Sequence, residues 1–201
     1  MNASVALRPA GPGDATAIHR LICENLEVGH LLPRSLDDVE RHVERFFVAE
    51  SDGRVVGCAE LAPLSGAVAE VRSLVVEQAF RGRQIGPGLV HHVAAAAGAR
   101  SFSTLCAFTH EPSHFVRMGF TIVPHVWVPE KIAHDCTGCT LFRHCGQYAV
   151  TLPLREGVHL RPEQPAAVIH SPGRTIAPRR PNIERLHLRS VQTAQEESVP
   201  A

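Results

Sequence analysis

A chain of 201 residues, 44% of them hydrophobic, can bury one core of ordinary size and still leave residues for an appendage. Twenty basic residues balance twenty acidic ones, so no global charge recruits nucleic acid or an anionic membrane surface. No apolar run approaches the roughly 20 residues that span a bilayer, and MNASVALRPAGPGD lacks the charged start and apolar stretch of a secretory signal.

Ala6 to Pro9 reads as a first strand, broken by Gly11-Pro12-Gly13. Asp14 is the predicted N-cap of a helix whose Ile18, Leu21, Ile22 and Leu26 share a face, with Gly29 ending it. Ser35 caps a second helix, with Val39 and Val43 on one side. The period then drops to two. Residues 46–50 and 54–64 are predicted strands joined through Asp52-Gly53 as a hairpin turn, and 67–76 is a third strand. An apolar helix over 88–99 tolerates Pro87 in its first turn. A strand over 102–108, a short helix in EPSHFVRMGF, a strand in TIVPHVWV and a last strand over 148–154 complete the pattern.

Residues 155–201 contain no Phe, Trp or Tyr, and their prolines and arginines follow no period. Such a segment buries too little apolar surface to offset its ordering entropy and is expected to be disordered. The predicted organisation is one domain over 1–154 and a tail over 155–201. The domain is α/β, with helices around a mixed sheet. Cys23, Cys58 and Cys106 each stand in apolar surroundings and are expected to be buried free thiols. A reducing cytoplasm is the expected compartment, without membrane or nucleic-acid partners.

VRSLVVEQAFRGRQIGPGL, over 71–89, is the stretch richest in chemistry. A strand runs through a turn containing Arg81, Gly82 and Arg83 into a helix near Gln84. Unpaired N–H groups at a helix start, the helix dipole and two guanidinium groups suit a pyrophosphate. A Walker A loop is excluded because no GK[ST] follows, and Gly86-Pro87-Gly88 does not continue as a dinucleotide fingerprint.

The ordered set LRPAGPGDA, LVV, RGRQIG and HFVRMGF resembles the GNAT N-acetyltransferase superfamily over residues 5–153. The resemblance implies a mixed, mostly antiparallel central sheet flanked by helices, and acetyl-CoA as co-substrate. It implies that Arg81, Gly82, Arg83, Gln84, Ile85 and Gly86 hold the pyrophosphate, while the backbone of Leu74, Val75 and Val76 pairs with the pantetheine arm. Two departures stand out. Gln84 occupies a position where the family prefers glycine, and Phe115 one where many members carry a tyrosine that protonates the leaving thiolate. AEVRSLVV and VPEKIAHDCTGCTLFRHCGQYAV (128–150) resemble more narrowly the short-form N-acetylglutamate synthases of arginine biosynthesis. That resemblance implies acetyl transfer to the α-amine of L-glutamate. The match does not include the amino-acid-kinase domain of long-form enzymes, so no arginine-binding site carries over.

Within this resemblance Glu70 is the candidate general base, acting directly or through water. A strand bulge near Leu74 or Val75 would free an N–H for the oxyanion. Glu70 also reads as a solvated strand-end acid paired with Arg72. Glutamate brings two carboxylates and needs two cations. Arg72 lies on the same strand face, Lys131 is the only lysine of the chain, and Arg8 is a third choice. His91 and His92 read as surface or partly buried residues, and His114 as a packing residue. A homodimer is compatible with the sequence.

The segment HDCTGCTLFRHC gathers three of the six cysteines. Cys136, Cys139 and Cys145, completed by His134 or His144, could hold structural zinc; an iron–sulfur centre or metal-free thiols are the other readings. Direct attack on acetyl-CoA requires no metal and no cysteine. Two rival functions remain: a GNAT enzyme for another small amine or a protein N-terminus, and a non-catalytic sensor module that binds CoA or metal.

Overall fold

In a computed structural model describing residues 4–27 and 31–158, alternating apolar residues build seven strands into one sheet. They are β1 (Val5–Pro9), β2 (Phe46–Ser51), β3 (Arg54–Pro63), β4 (Val68–Val76), β5 (Thr104–Thr109), β6 (Thr121–Val123) and β7 (Tyr148–Pro153). Their spatial order is β1-β2-β3-β4-β5-β7-β6. All neighbours are antiparallel except β4 and β5. Helices α1 (Ala15–Glu24), α2 (Leu36–Arg41), α3 (Ile85–Ala99) and α4 (Pro112–Val116) flank it. This is the mixed, mostly antiparallel α/β arrangement expected. Asp52 and Gly53 both take left-handed φ, 50° and 72°, and join Ser51 to its partner Arg54 in the tight hairpin.

The two faces of the sheet are covered differently. On one, Leu61, Val71 and Leu105 pack against Leu89 and Val93 of α3 and Phe115 of α4. On the other, Ile18, Leu21 and Ile22 of α1 pack with Val39 of α2 against Phe46, Val48 and Cys58. Full burial of each such aliphatic side chain stabilises by about 1.5–3 kcal/mol. A smaller cluster of Val68, Cys106, Val128 and Ala149 lies further along the sheet.

Between those last two clusters runs a charged strip. Glu60 stands opposite Arg72 in the β3–β4 ladder, and Glu70 is two residues from Arg72. Side-chain alternation therefore puts all three on one face. Just beyond, the register slips. Cys58 pairs with Val75 but Glu60 with Arg72, so Ser73 and Leu74 together face Ala59, and Ser73 takes φ 48°. The bulge re-phases β4: Val71 packs with the α3 cluster, and Val75 with the α1 cluster.

Several expectations are corrected. Asp14 makes no side-chain cap for α1; its carboxylate accepts from the Gly11 N–H at 2.8 Å and from Arg8. The first helix ends at Glu24, and Gly29 lies outside the described residues. TIVPHVWV is a strand only to Val123, because Pro124 has no N–H to continue the ladder, and His125–Trp127 form a 3-10 turn. The segment after it is helical, Pro129–Lys131 running into a π-helical turn, Ile132–Cys136. Cys58 and Cys106 are buried as expected, but Cys23 is exposed because it falls on the outer side of α1. Past Leu154 the chain is described to Val158, and the Arg155 guanidinium donates to the Ser101 carbonyl at 3.1 Å. The rest of the predicted tail, 159–201, lies outside the described residues.

Candidate active site

β4 and β5 pair only over Val68–Glu70 and Thr104–Cys106. Beyond those pairs the two strands continue unpaired with each other, leaving a wedge between them. The wedge opens into a cleft of about 1820 Å³. Single small-ligand pockets measure roughly 300–1,000 Å³, so two substrates fit here.

One end of the cleft holds the loop from which a phosphate site was expected. Leu74, Val75 and Val76 of the bulged strand line it, followed by Arg81, Gly82, Gln84, Ile85 and Gly86 at the start of α3. Arg81 folds the loop, its Nε donating to the Val76 carbonyl at 3.0 Å and its Nη2 to Asn25 Oδ1 at 3.1 Å. Gly82 and Gln84 both have left-handed φ, 79° and 59°. Glycine is unstrained in that region, which gives the physical reason a family would favour it where Gln84 stands. Arg83 does not line the cleft; its guanidinium sits 5.0 Å from the Phe80 ring centroid.

The other end holds the charged strip. Glu70, 3% exposed, accepts from Lys131 Nζ at 2.7 and 2.9 Å and from Arg72 Nε at 2.5 Å. It is therefore no solvated strand-end acid. Lys131 is itself 8% exposed and sits 5.2 Å from the Phe108 ring centroid. Asp135 Oδ2 accepts from both Arg72 Nη2 and Lys131 Nζ, and Asp135 Oδ1 is bonded to His134 Nδ1. Two carboxylates thus share two cations in a partly dry site, where unpaired charge would be costly.

Partial burial works against the Asp135 carboxylate, yet the bonds from Lys131 and His134 and the charges of Lys131 and Arg72 outweigh it and hold its pKa below 3.8. Burial opposes the charge on Arg72 as well; Glu70 and Asp135 more than reverse it and raise its pKa. On the neighbouring strand β3, the buried Glu60 accepts from Arg34 Nη1 at 2.7 Å, and Arg34 Nε donates to Asp38 at 2.5 Å.

The structure thus brings Glu70, Arg72 and Lys131 into contact and leaves Arg8 out. Arg8 is engaged by Asp14 and Glu50 on β1, at the edge of the sheet, and does not line the cleft. Sequence reasoning missed Arg34, Glu60 and Asp135. Only the period-2 placement of Glu60 on a strand could have hinted at them. Phe115 is buried, edge-on to Phe120 at 5.1 Å. His91 and His92 are exposed; His114 is exposed too and accepts from Arg117, so it does not pack. Cys136, Cys139 and Cys145 line the cleft mouth, but among the described residues no group of three or more His, Cys, Asp or Glu is arranged to hold a metal ion. The expected three-cysteine zinc site is therefore not formed among the described residues.

A splayed parallel pair and a bulged strand thus open a cleft with room for two ligands, one end at the start of a helix and the other at a cluster of charges. Residues 42–122 match the acetyltransferase (GNAT) domain family. An uncharacterized N-acetyltransferase of Chlorobaculum tepidum is 33% identical over 152 residues, covering 76% of this chain and 98% of that protein. The amino-acid acetyltransferase of Shewanella oneidensis is 35% identical over 127 residues, 62% of this chain, which spans only 28% of that protein. The N-acetylglutamate synthase of Neisseria gonorrhoeae, complexed with coenzyme A and N-acetyl-glutamate, superposes with a TM-score of 0.67 at 27% identity, over 77% of this chain and 36% of that one. A Mycobacterium tuberculosis protein in complex with CoA gives a TM-score of 0.65 at 26% identity, over 75% of this chain and 99% of that one. The chain belongs to the GNAT acetyltransferase family. It is an acetyl-CoA-dependent N-acetyltransferase, and among its described residues no helix is long and apolar enough to cross a membrane.

Proposed function

We propose that the protein transfers the acetyl group of acetyl-CoA to the α-amine of L-glutamate. The observation that carries this reading is the pair Arg72 and Lys131, two cations held within the cleft beside the β4 bulge. The likeness to the Neisseria gonorrhoeae synthase, complexed with N-acetyl-glutamate, supports it.

The pantetheine arm runs along Leu74, Val75 and Val76, and the pyrophosphate meets Arg81 and the N–H groups around Gly82 to Gly86. The thioester carbonyl then lies by the bulge, where a backbone N–H released from the β3 ladder stabilises the oxyanion. One carboxylate of the acceptor replaces Asp135 on Arg72 and Lys131. The second reaches Arg34, which lines the same cleft and is held by Glu60 and Asp38. Glu70 faces the ammonium and takes its proton, directly or through water, so that the amine can attack. The tetrahedral intermediate collapses with expulsion of the CoA thiolate. Phe115 offers that thiolate no proton, so solvent in the open cleft supplies it.

A thiol-release assay with acetyl-CoA against a panel of amino acids tests the acceptor. Glutamate should give the highest kcat/KM. Faster transfer to a neutral or cationic amine, or to a peptide N-terminus, would replace glutamate as the acceptor while leaving the transferase class intact.

A further inference from the structure

Three thiols at the cleft mouth take part in none of these steps. Cys58 and Cys106 are buried within the sheet's core clusters, but Cys136, Cys139 and Cys145 are half-buried or exposed beside the acceptor end. Packing therefore does not account for them. Cys136 closes the π-helical turn, and the Cys139 N–H donates to the Cys136 carbonyl at 3.1 Å. A hydrogen-bonded four-residue turn keeps its end Cα atoms within about 7 Å. A disulfide needs Cα atoms roughly 4.4–6.8 Å apart, so Cys136 and Cys139 can bridge with little backbone movement.

We propose that Cys136 and Cys139 form a reversible oxidation site, a dithiol that closes to a disulfide and controls the acceptor end of the cleft. The oxidant is a low-molecular-weight disulfide. The Cys139 thiolate attacks one of its sulfurs, forming a mixed disulfide and expelling one small thiolate; the Cys136 thiolate then displaces the second. The protein dithiol gives up two electrons and two protons. The small disulfide takes both electrons and leaves as two small thiols, which carry the protons.

The geometry links this bond to substrate binding. Asp135 adjoins Cys136 in the same turn, and its carboxylate bridges Arg72 and Lys131. Closing the turn fixes Asp135 over those cations and resists their release to an acceptor carboxylate. The oxidation site stands without any acceptor; its kinetic consequence rests on the reading of Arg72 and Lys131 given above.

The test incubates the full chain with oxidised glutathione and maps its peptides by mass without reduction. The expected product has lost two hydrogens within a peptide holding Cys136 and Cys139. Dithiothreitol reverses it, Cys139→Ser prevents it and Cys145→Ser does not. Acetyl transfer at subsaturating acceptor, measured with the best amine of the panel, should fall on oxidation and recover on reduction. Persistent glutathionylation without a bridge, or a bridge that includes Cys145, would overturn the site. A mapped Cys136–Cys139 bridge with unchanged transfer would overturn its control of the acceptor. Because the mapping needs no acceptor, its outcome is independent of whether glutamate is the substrate.

Discussion

Replacing Asp135 by asparagine removes one negative charge and almost no volume. In the free protein that carboxylate occupies Arg72 and Lys131, the two cations assigned to the acceptor, and its depressed pKa keeps it ionised at neutral pH. An incoming carboxylate must displace it. Hydrogen bonds to charged groups are worth about 1.5–3 kcal/mol net, and Asp135, with its side chain 28% exposed, sits in partial contact with solvent. Screening reduces the competing interaction to about 1–2 kcal/mol, a factor of roughly 5–30 in an equilibrium constant. Asp135→Asn should therefore lower the glutamate KM by about that factor while leaving the acetyl-CoA KM unchanged. Steady-state thiol release with each substrate varied in turn measures both. A glutamate KM that stays level or rises would refute the reasoning, because Asp135 would then orient the cations and not compete for them.

Arg72→Ala and Lys131→Ala should each raise the glutamate KM far more than the acetyl-CoA KM; unchanged glutamate kinetics in both, with folding verified by circular dichroism, would remove them as ligands. Lys131→Ala should also destabilise the fold by about 1–3 kcal/mol, since the buried Glu70 then keeps Arg72 as its remaining partner, and urea unfolding reads that loss. Glu70→Gln should lower kcat by roughly 10²–10⁴-fold with partial recovery at higher pH, and wild-type turnover would exclude it as the base. Gly82→Ala forces a side chain into φ 79° at a strain of about 1–2 kcal/mol; the acetyl-CoA KM should rise and the acceptor KM should not. Asp14, whose pKa Arg8's hydrogen bond holds below 3.8 against the opposing effect of burial, contributes stability above that value and loses it as pH falls through its lowered pKa. Asp14→Asn should thus be less stable than wild type at neutral pH, and the gap in urea midpoints should close in acid below 3.8.

Local chemistry made part of this protein legible in its sequence. Asp52-Gly53 between alternating strands demanded a hairpin because both residues tolerate left-handed φ. The 3.6-residue spacing of Ile18, Leu21 and Ile22 foretold the buried face of α1. The glycine- and arginine-bearing turn after LVV signalled where a helix begins, and the structure starts that helix at Ile85, beside the cleft. The helical course of 129–136 was less legible. Pro129 opens a short helix there, and the π-helical turn Ile132–Cys136 leaves no simple period to read.

What only the tertiary structure decided is which charges meet. Lys131 stands 61 positions from Glu70, and Asp135 stands 63 from Arg72; no periodicity spans such distances. Arg8 and Arg72 both read as strand arginines open to an acceptor carboxylate, Arg72 as the first choice and Arg8 as the third. The order of the sheet sends Arg8 to its edge beside Asp14 and Glu50, while the separation of β4 from β5 leaves Arg72 over a cleft. Arg34 belongs to no motif, and the alternating placement of Glu60 was a faint signal only, because a buried carboxylate is recognisable once its partner is in place. Sequence set the backbone patterns through short-range sterics and hydrophobic period. The site's electrostatics came from long-range packing, which determines which charges leave water together.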